Sequence, residues 1–345
     1  MKITYLLGAG ASAESLPTVE KIPERITHLL HILSDPKYRF SNNEIFSIPN
    51  SSERISKQKV KENFVKDLLN WNGAIKEHSS IDTLAKKLYV TKRQKEYNSL
   101  KIVFSFFLVC EQMISKIDRR YDSFLAAISK SNNTGNGDLL PEQMRIISWN
   151  YDFQFEKAFS AYSLDNRIDA NQSLLNVHPS GGSNFSATNK FGLYKLNGTT
   201  GIHENSGTIS SFISEVDENF GVTFLTKILK SYHSITKDID KNPTSLYFAW
   251  EDHSISQRVI ANAMEATKDT QVLVVIGYSF PFFNREVDRK IIRNMNQTLR
   301  KVYFQAPDQE AENYKIRFGS ILFHRPGLHL ESIKEVKQFF LPPEL

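Results

Sequence analysis

The chain begins with a short apolar strand that runs directly into a loop of small residues, and this loop constrains the fold more than any other feature. Lys2 to Leu7 reads as a buried strand, and Gly8-Ala9-Gly10-Ala11-Ser12 follows it at once. The spacing Gly8-x-Gly10-x-x-Ala13 allows a tight turn and a close approach of backbone N–H groups to a pyrophosphate. Small-residue turns after strands are common, so an ordinary tight turn is the alternative interpretation.

Strands and helices alternate along most of the chain. Apolar runs predict further strands at Arg145–Trp149, near Tyr194–Leu196, and at Gln271–Ile276, Lys301–Gln305 and Ile321–His324. Helical spacing predicts helices at Phe153–Tyr162, Asn284–Leu299 and Leu330–Phe340. This order predicts a doubly wound, mostly parallel, Rossmann-like α/β sheet.

A long helical stretch interrupts this alternation. From about Ser56 to Ile128 the apolar residues recur at helical spacing, and a polar loop at Asn132–Asp138 follows. We therefore predict a large helical insertion at residues 41–140, within a core formed by residues 1–40 and 141–345.

Composition excludes several classes of site. The single cysteine, Cys110, cannot form an internal disulfide or a cysteine-rich zinc site, and no histidine pair shows metal-ligand spacing, so we expect no metal. The most apolar stretch, Ile102–Val109, is too short to cross a bilayer. These features predict a cytoplasmic protein. Residues 54–101 hold 12 Lys and Arg against 5 Asp and Glu, which indicates a solvated helical face or, alternatively, a nucleic-acid or acidic-partner surface.

Four short segments stand out along the chain: Gly8-Ala9-Gly10-Ala11-Ser12, Ser148-Trp149-Asn150-Tyr151-Asp152, Tyr194-Lys195-Leu196-Asn197-Gly198-Thr199 and Val275-Ile276-Gly277-Tyr278-Ser279-Phe280. Taken in this order, they resemble the sirtuin family, in particular its zinc-free bacterial branch of antiphage-defence NADases. Ser80-Ile81-Asp82 in the insertion is similar to a segment of the same branch. A dehydrogenase is disfavoured, because the stretch after the glycine loop is helical and supplies no acidic residue at the end of a second strand.

The resemblance implies a role for each segment in binding NAD. It implies that Gly8, Ala9, Gly10, Ala11 and Ser12 hold the phosphates. Asn150 and Asp152 are expected to face the nicotinamide ribose. Gly277 and Ser279 are expected to contact the adenosine half, with Gln305 and Asp308 as weaker candidates. Asn197 stands where the family has its general-base histidine, and an amide cannot take up a proton near neutral pH.

Cleavage of the nicotinamide–ribose bond develops positive charge on the sugar, as in glycoside hydrolysis. Asp152 can offset that charge, and Asn150 can hold a water or the ribose hydroxyls. The alternative is that Asn150-Tyr151-Asp152 is a polar turn that caps the next helix. His178 in Val177-His178-Pro179 is the candidate replacement base, unless it is an ordinary surface-loop histidine, and His203 is the second candidate.

The sequence therefore predicts an NAD glycohydrolase that releases nicotinamide and ADP-ribose, with NAD as its substrate. Through the resemblance, we expect it to deplete NAD as an abortive-infection effector. A separate sensor protein or a homo-oligomer is expected to restrain it. Three other hypotheses remain open: a non-catalytic module that binds NAD or ADP-ribose and regulates a partner, an oxidoreductase, and a nucleic-acid-binding protein acting through residues 54–101.

Overall fold

The computed structural model describes residues 1–47, 54–130, 140–179, 190–205, 208–211, 219–237, 239, 244–322 and 326–345. Within these residues, strands β1 to β12 are, in chain order, Ile3–Leu7, Ile45–Ser47, Arg54–Ser56, Met144–Ser148, Val177–His178, Gly192–Lys195, Gly198–Asn205, Thr208–Ser211, Thr244–Leu246, Val272–Ile276, Lys301–Gln305 and His329–Ile333. Helices α1 to α11 are Ile22–Ser34, Lys57–Lys76, Ile81–Val90, Gln94–Ile114, Arg119–Ile128, Gln154–Ser163, Ile168–Leu174, Val222–Lys237, Ser254–Thr267, Arg285–Met295 and Glu310–Gly319. Among the described helices, none is both long and apolar enough to cross a bilayer.

The chain divides into two compact units. The first comprises Met1–Glu14, Ile117–Thr199 and Tyr247–Leu345, and the second comprises Ser15–Lys116 and Thr200–Leu246. These bounds differ from the predicted 1–40, 41–140 and 141–345. Helix α5 belongs to the first unit because its apolar face, with Tyr121 and Phe124, packs into the core beneath the sheet. Helix α1 belongs to the second unit, where it packs against α2 and α4.

The first unit is built on a seven-stranded parallel sheet in the order β12-β11-β10-β1-β4-β6-β5. The predicted doubly wound α/β fold is confirmed. From β1 the chain order runs to β4 on one side, whereas β10, β11 and β12 lie on the other. The order therefore reverses between β1 and β10, and ligands of such sheets bind beyond the carboxyl ends of the strands at this point.

The central strands are apolar along their whole length because helices cover both faces of a parallel sheet. All five residues of β1 and of β10 are buried. On one face, Tyr5 and Ile146 pack with Phe124 of α5 and Phe155 of α6. Phe339, near the end of the chain, belongs to the same core.

The helix predicted at Leu330–Phe340 is wrong. Ile321 and Leu322 form a turn after α11, and the rest of the strand predicted at Ile321–His324 lies outside the described residues. Where a helix was predicted at Leu330–Phe340, strand β12 pairs in parallel with β11. The five residues of β12 have mixed polarity, which fits a helix or a strand equally well. They form a strand because the edge of β11 offers backbone groups with which they can pair. The buried residues Ala311, Tyr314 and Phe318 lie at helical spacing and were the overlooked signal for α11.

The second unit is mainly helical. The long helix α4 is largely buried, and an aromatic group joins it to α2 and α8. Phe64 lies 6.4 Å from Phe106 and 4.9 Å from Tyr232, measured between ring centroids. The segment before α2 contains the short antiparallel pair β2 and β3.

Candidate active site

The glycine loop after β1 packs directly against the loop after β10, at the point where the strand order reverses. The Gly8 N–H donates to the Ile276 carbonyl and the Gly10 N–H donates to the Gly277 carbonyl, both at 3.0 Å. A Cβ atom on Gly10 would lie 2.7 Å from the Gly277 Cα, closer than real Cβ atoms approach a neighbour. Gly277 itself has φ +58°, which favours glycine. These glycines are therefore required for the contact between the two loops.

Several of the loop amides expected to face phosphates bond within the protein. Besides Gly8 and Gly10, the Ala11 N–H donates to the Gly8 carbonyl at 2.9 Å. Ala9 is exposed and Gly10 is half-buried, so these two residues form the solvent-facing part of the loop. Ala9–Ser12 forms a single 3-10 turn. In the described conformation, a phosphate would meet the loop at this exposed part.

Ser12 joins the residues that the sequence singled out for chemistry. Its hydroxyl donates to Asp152 Oδ2 at 2.9 Å and accepts from Asn150 Nδ2 at 3.3 Å. The Tyr121 hydroxyl lies 2.9 Å from the same oxygen. A hydroxyl offers one donor and two acceptor positions, so Tyr121 donates and Ser12 Oγ is saturated. Ser12 therefore orients Asn150 and Asp152 across more than a hundred residues of chain.

The Asp152 carboxylate links the glycine loop to the start of α6. Its Oδ1 accepts from the Gln154 N–H at 3.0 Å, which ties it to the first turn of α6, while Oδ2 meets Ser12. Burial raises the pKa of the Asp152 carboxyl, and the nearby Lys195 ammonium and these hydrogen bonds oppose the rise. The site thus contains a carboxyl group in poorly hydrated surroundings.

A buried ion pair, which the sequence did not lead us to predict, contacts the backbone of Asp152. Lys195 is 2% exposed, and its ammonium donates to the Asp152 carbonyl at 2.6 Å and to Glu156 Oε1 at 2.5 Å. Glu156, on α6, is fully buried and also accepts from Gln172 at 3.3 Å. The sequence did contain a signal for this pair. A lysine stands inside a buried strand, in the Tyr194–Thr199 segment, and a glutamate stands one helical turn beyond Asp152.

Asn197 lies two residues beyond the end of β6, and its side-chain amide is hydrogen-bonded at one end only. Its Nδ2 donates to the Trp149 carbonyl at 3.1 Å. Within the described part of the chain its Oδ1 has no hydrogen-bond partner, although the residue is only 6% exposed. A buried acceptor without a partner is costly, so this oxygen is suited to accept a hydrogen bond from a bound ligand.

Trp149 and Tyr278 clamp a buried acid. Trp149 Nε1 donates to Asp288 Oδ1 at 3.1 Å, and the Tyr278 hydroxyl donates to Asp288 Oδ2 at 2.8 Å. The two rings stack with centroids 6.0 Å apart. Burial raises the pKa of Asp288 to about 8, although both hydrogen bonds oppose the rise. This cluster joins the end of β4 to the loop after β10.

Asp288→Asn is expected to reduce the pH dependence of stability. The pKa of Asp288 is about 8 in the folded protein against an ordinary 3.8, so between these values the folded state keeps a proton that the unfolded chain releases. The free energy of unfolding therefore falls as pH rises through this window, by up to about 1.4 kcal/mol per pH unit. Urea denaturation at pH 5 and pH 9 should show a smaller loss for Asp288→Asn than for wild type. The same loss in both proteins would contradict the assignment, and the exposed Asp169→Asn serves as control.

His178, the candidate base, lies on the edge strand β5, with its ring stacked on Tyr194 at 4.8 Å. It is 3% exposed, its Nε2 lies 3.1 Å from Asn176 Oδ1, and burial lowers its pKa to about 4. In register with Tyr194, it points to the opposite face of the sheet from Lys195. The structure places it on the edge of the sheet, two strands from β4. The His203 side chain lies outside the described residues.

The residues expected at the adenosine half are partly engaged elsewhere. Ser279 is half-buried, and its carbonyl accepts from Arg317 at 2.8 Å. The Gln305 amide bonds three backbone groups of the C-terminal segment, so it is not available to a ribose in this conformation. Asp308 is exposed and has φ +40°.

The described residues contain no group of three or more His, Cys, Asp or Glu side chains arranged to hold a metal ion. A groove of about 350 Å³ lies in the second unit, between α1 and α2, and residues of the glycine loop do not line it. Its walls are mostly apolar, with Leu33 and Leu69 among them.

No family model matches the chain, and no curated protein matches it either.

Proposed function

We propose that the first unit binds NAD and hydrolyses its nicotinamide–ribose bond. The observation that carries this proposal is the hydrogen-bonded group of Ser12, Asn150 and Asp152 beyond the carboxyl ends of β1 and β4. It lies beside the reversal of strand order between β1 and β10, and doubly wound sheets bind nucleotides at such a reversal. An amide and a poorly hydrated carboxyl held together by the glycine loop suit a substrate that carries phosphates and a reactive sugar.

The proposed reaction consumes NAD and water and yields nicotinamide, ADP-ribose and a proton. The C–N bond to the ribose breaks with its electron pair going to nicotinamide, which leaves as a neutral molecule. Asp152 in its ionised form offsets the positive charge that develops on the sugar. Asn150 orients the ribose or the water. Water then adds to the sugar carbon and loses its proton.

This chemistry needs little help from a general base, since a cationic sugar accepts a weak nucleophile. Asn197 cannot take up a proton, and His178 lies on a strand two removed from β4, where burial lowers its pKa. We therefore assign the acceleration to orientation and electrostatics rather than to a histidine base. The acceptor Oδ1 of Asn197 is proposed to bind a hydroxyl or amide N–H of the substrate.

The test is nicotinamide release from NAD by wild type and by Asn150→Ala, with and without the proteins encoded by neighbouring genes. We expect Asn150→Ala to reduce release at least about tenfold, because one positioned polar group contributes that much or more to such a reaction. The exposed Asn313→Ala on α11 is the matched control and should retain wild-type rates. Equal release by Asn150→Ala and wild type would contradict the proposal.

A second candidate is a non-catalytic module that binds NAD or ADP-ribose and regulates a partner. Two observations favour it: an amide occupies the position of the expected base, and the Gly8, Gly10 and Ala11 amides already bond within the protein. Calorimetry would then detect NAD binding while no condition releases nicotinamide. An oxidoreductase would instead consume NADPH or carry a flavin absorbance.

The biological role rests on the resemblance to defence NADases. We propose that the protein acts in the cytoplasm and depletes NAD when infection is sensed. Unrestrained hydrolysis would kill the host cell, so a separate sensor protein or assembly into a homo-oligomer is proposed to control it. Binding to nucleic acid through residues 54–101 would require strongly salt-dependent affinity that is lost on charge reversal there.

A further inference from the structure

The C-terminal segment, residues 335–345, is fastened onto the sheet by side chains of two strands. Gln305 of β11 donates to the Glu335 and Gln338 carbonyls at 2.5 and 2.6 Å and accepts from the Phe340 N–H at 2.9 Å. Tyr5 of β1 donates to the Phe340 carbonyl at 3.1 Å. Further along, Lys301 of β11 donates to Glu344 at 2.6 Å. A glutamine that makes three hydrogen bonds to one segment fixes both its position and its direction.

This fastening places Phe339 against two consecutive residues of α5. Phe339 is 5% exposed, and its ring meets that of Tyr121 edge-on, with centroids 4.9 Å apart and planes at 88°. The guanidinium carbon of Arg120 lies 5.4 Å from the centroid of the Phe339 ring. Phe124 completes the contact at 5.8 Å. One ring therefore makes an aromatic and a cation–π contact with adjacent side chains.

Those same two side chains hold the glycine loop. Arg120 Nη2 donates to the Gly10 carbonyl at 3.1 Å and to the Ala11 carbonyl at 3.2 Å. Its charge is paired with Asp118, at 2.6 Å. The Tyr121 hydroxyl donates to Ser12 Oγ, which in turn holds Asp152 and Asn150, as described above.

We propose that Phe339 is a positioning residue for the pocket: the C-terminal segment holds Arg120 and Tyr121 in place, and through them the loop from Gly8 to Ser12. The contacts that α5 makes with Gly10, Ala11 and Ser12 come from Arg120 and Tyr121, the two side chains against which Phe339 packs. Docking of the segment and binding in the pocket are therefore coupled, and each strengthens the other by the same factor. The identity of the ligand as NAD rests on the proposed function, whereas the effect on the loop does not.

The test compares Phe339→Leu with Phe340→Leu, two identical changes one residue apart. The Phe340 ring packs on that of Tyr303, with centroids 4.7 Å apart. The hydrogen bonds of Phe340 to Tyr5 and Gln305 use its backbone atoms, which the substitution retains. Amide hydrogen exchange is followed in peptides that cover residues 5–13, with β10 as internal reference. Phe339→Leu is expected to speed exchange of the loop about five- to tenfold, and Phe340→Leu to leave it near wild type. Phe339→Met, which keeps apolar bulk but lacks the ring, serves if the leucine variant does not fold.

Equal exchange in the two leucine variants, or unchanged exchange in Phe339→Leu and Phe339→Met, would overturn the proposal. NAD affinity provides the second measurement, and Phe339→Leu should weaken it about five- to tenfold by the same coupling. If the loop loosens while neither wild type nor variant binds NAD, the proposed function fails and the positioning role stands. If wild type binds NAD and Phe339→Leu binds it equally well, the coupling fails and the proposed function stands.

Discussion

Replacing Gly277 by alanine is expected to lower the free energy of unfolding of the first unit by about 2–5 kcal/mol. A left-handed φ costs an L side chain about 1–2 kcal/mol, and Gly277 has φ +58°. The new Cβ would lie 2.5 Å from the Gly10 Cα and 2.6 Å from the Ala11 nitrogen. Both are backbone atoms, so relief requires the two loops to separate, and overpacking of this kind costs about 1–3 kcal/mol more.

Denaturant unfolding monitored in the first unit measures this effect, with Gly319→Ala as control. Gly319 is the last residue of α11, and a Cβ there meets nothing within 4 Å. Its substitution should leave stability unchanged or raise it, since alanine is the better helix former. Similar stabilities for Gly277→Ala and Gly319→Ala would show that the two loops do not pack as closely as described. The NAD binding that we propose for the first unit should also weaken in folded Gly277→Ala, because the substitution separates the glycine loop from the loop after β10.

Lys195→Met is expected to destabilise the first unit by about 3–5 kcal/mol, because it leaves the fully buried Glu156 without a counter-charge. The substitution also removes the ammonium that holds the Asp152 carbonyl. The double variant Lys195→Met Glu156→Leu should regain most of the loss, since a well-packed apolar pair is often as stable as a buried ion pair.

An exposed ion pair of the same unit provides the control for this prediction. Lys290 and Glu286 on α10 lie 3.0 Å apart with side chains 49% and 82% exposed. Such pairs contribute about 0–1 kcal/mol, so Lys290→Met should change stability little. A loss for Lys195→Met no greater than that for Lys290→Met would contradict the buried pair. Failure of the double variant to recover would indicate that Lys195 acts mainly through Asp152.

The elements that the sequence predicted best are those with strong local signals. Strands β1, β10 and β11 were predicted within a residue or two because each is a short apolar run bounded by polar residues or glycine. The end of the chain was predicted wrongly because the five residues of β12 have no decisive pattern. Pairing with β11, a contact distant in sequence, selects their structure.

The candidate site shows the same division. Gly8 to Ser12, Asn150, Asp152 and Asn197 could be named from short segments, and the structure brings Ser12, Asn150 and Asp152 together. His178 was named from its position at a strand end, yet the order of strands places β5 at the edge of the sheet, two strands from β4. The order of strands is set by crossover connections, and it cannot be predicted from the apolar periodicity along the chain.

By itself, the sequence determined the alternation of strands and helices, the parallel sheet and the small-residue turn after β1, because apolar periodicity and glycine act over a few residues. Only the tertiary structure decided which residues become partners. The Tyr121 hydroxyl donates a hydrogen bond to Ser12, Lys195 forms an ion pair with Glu156, and the Phe339 ring makes a cation–π contact with Arg120. Each of these pairs joins residues that are far apart in the chain, or on different elements. Burial removes the water that would otherwise satisfy their polar groups, so the partners must be supplied by the fold.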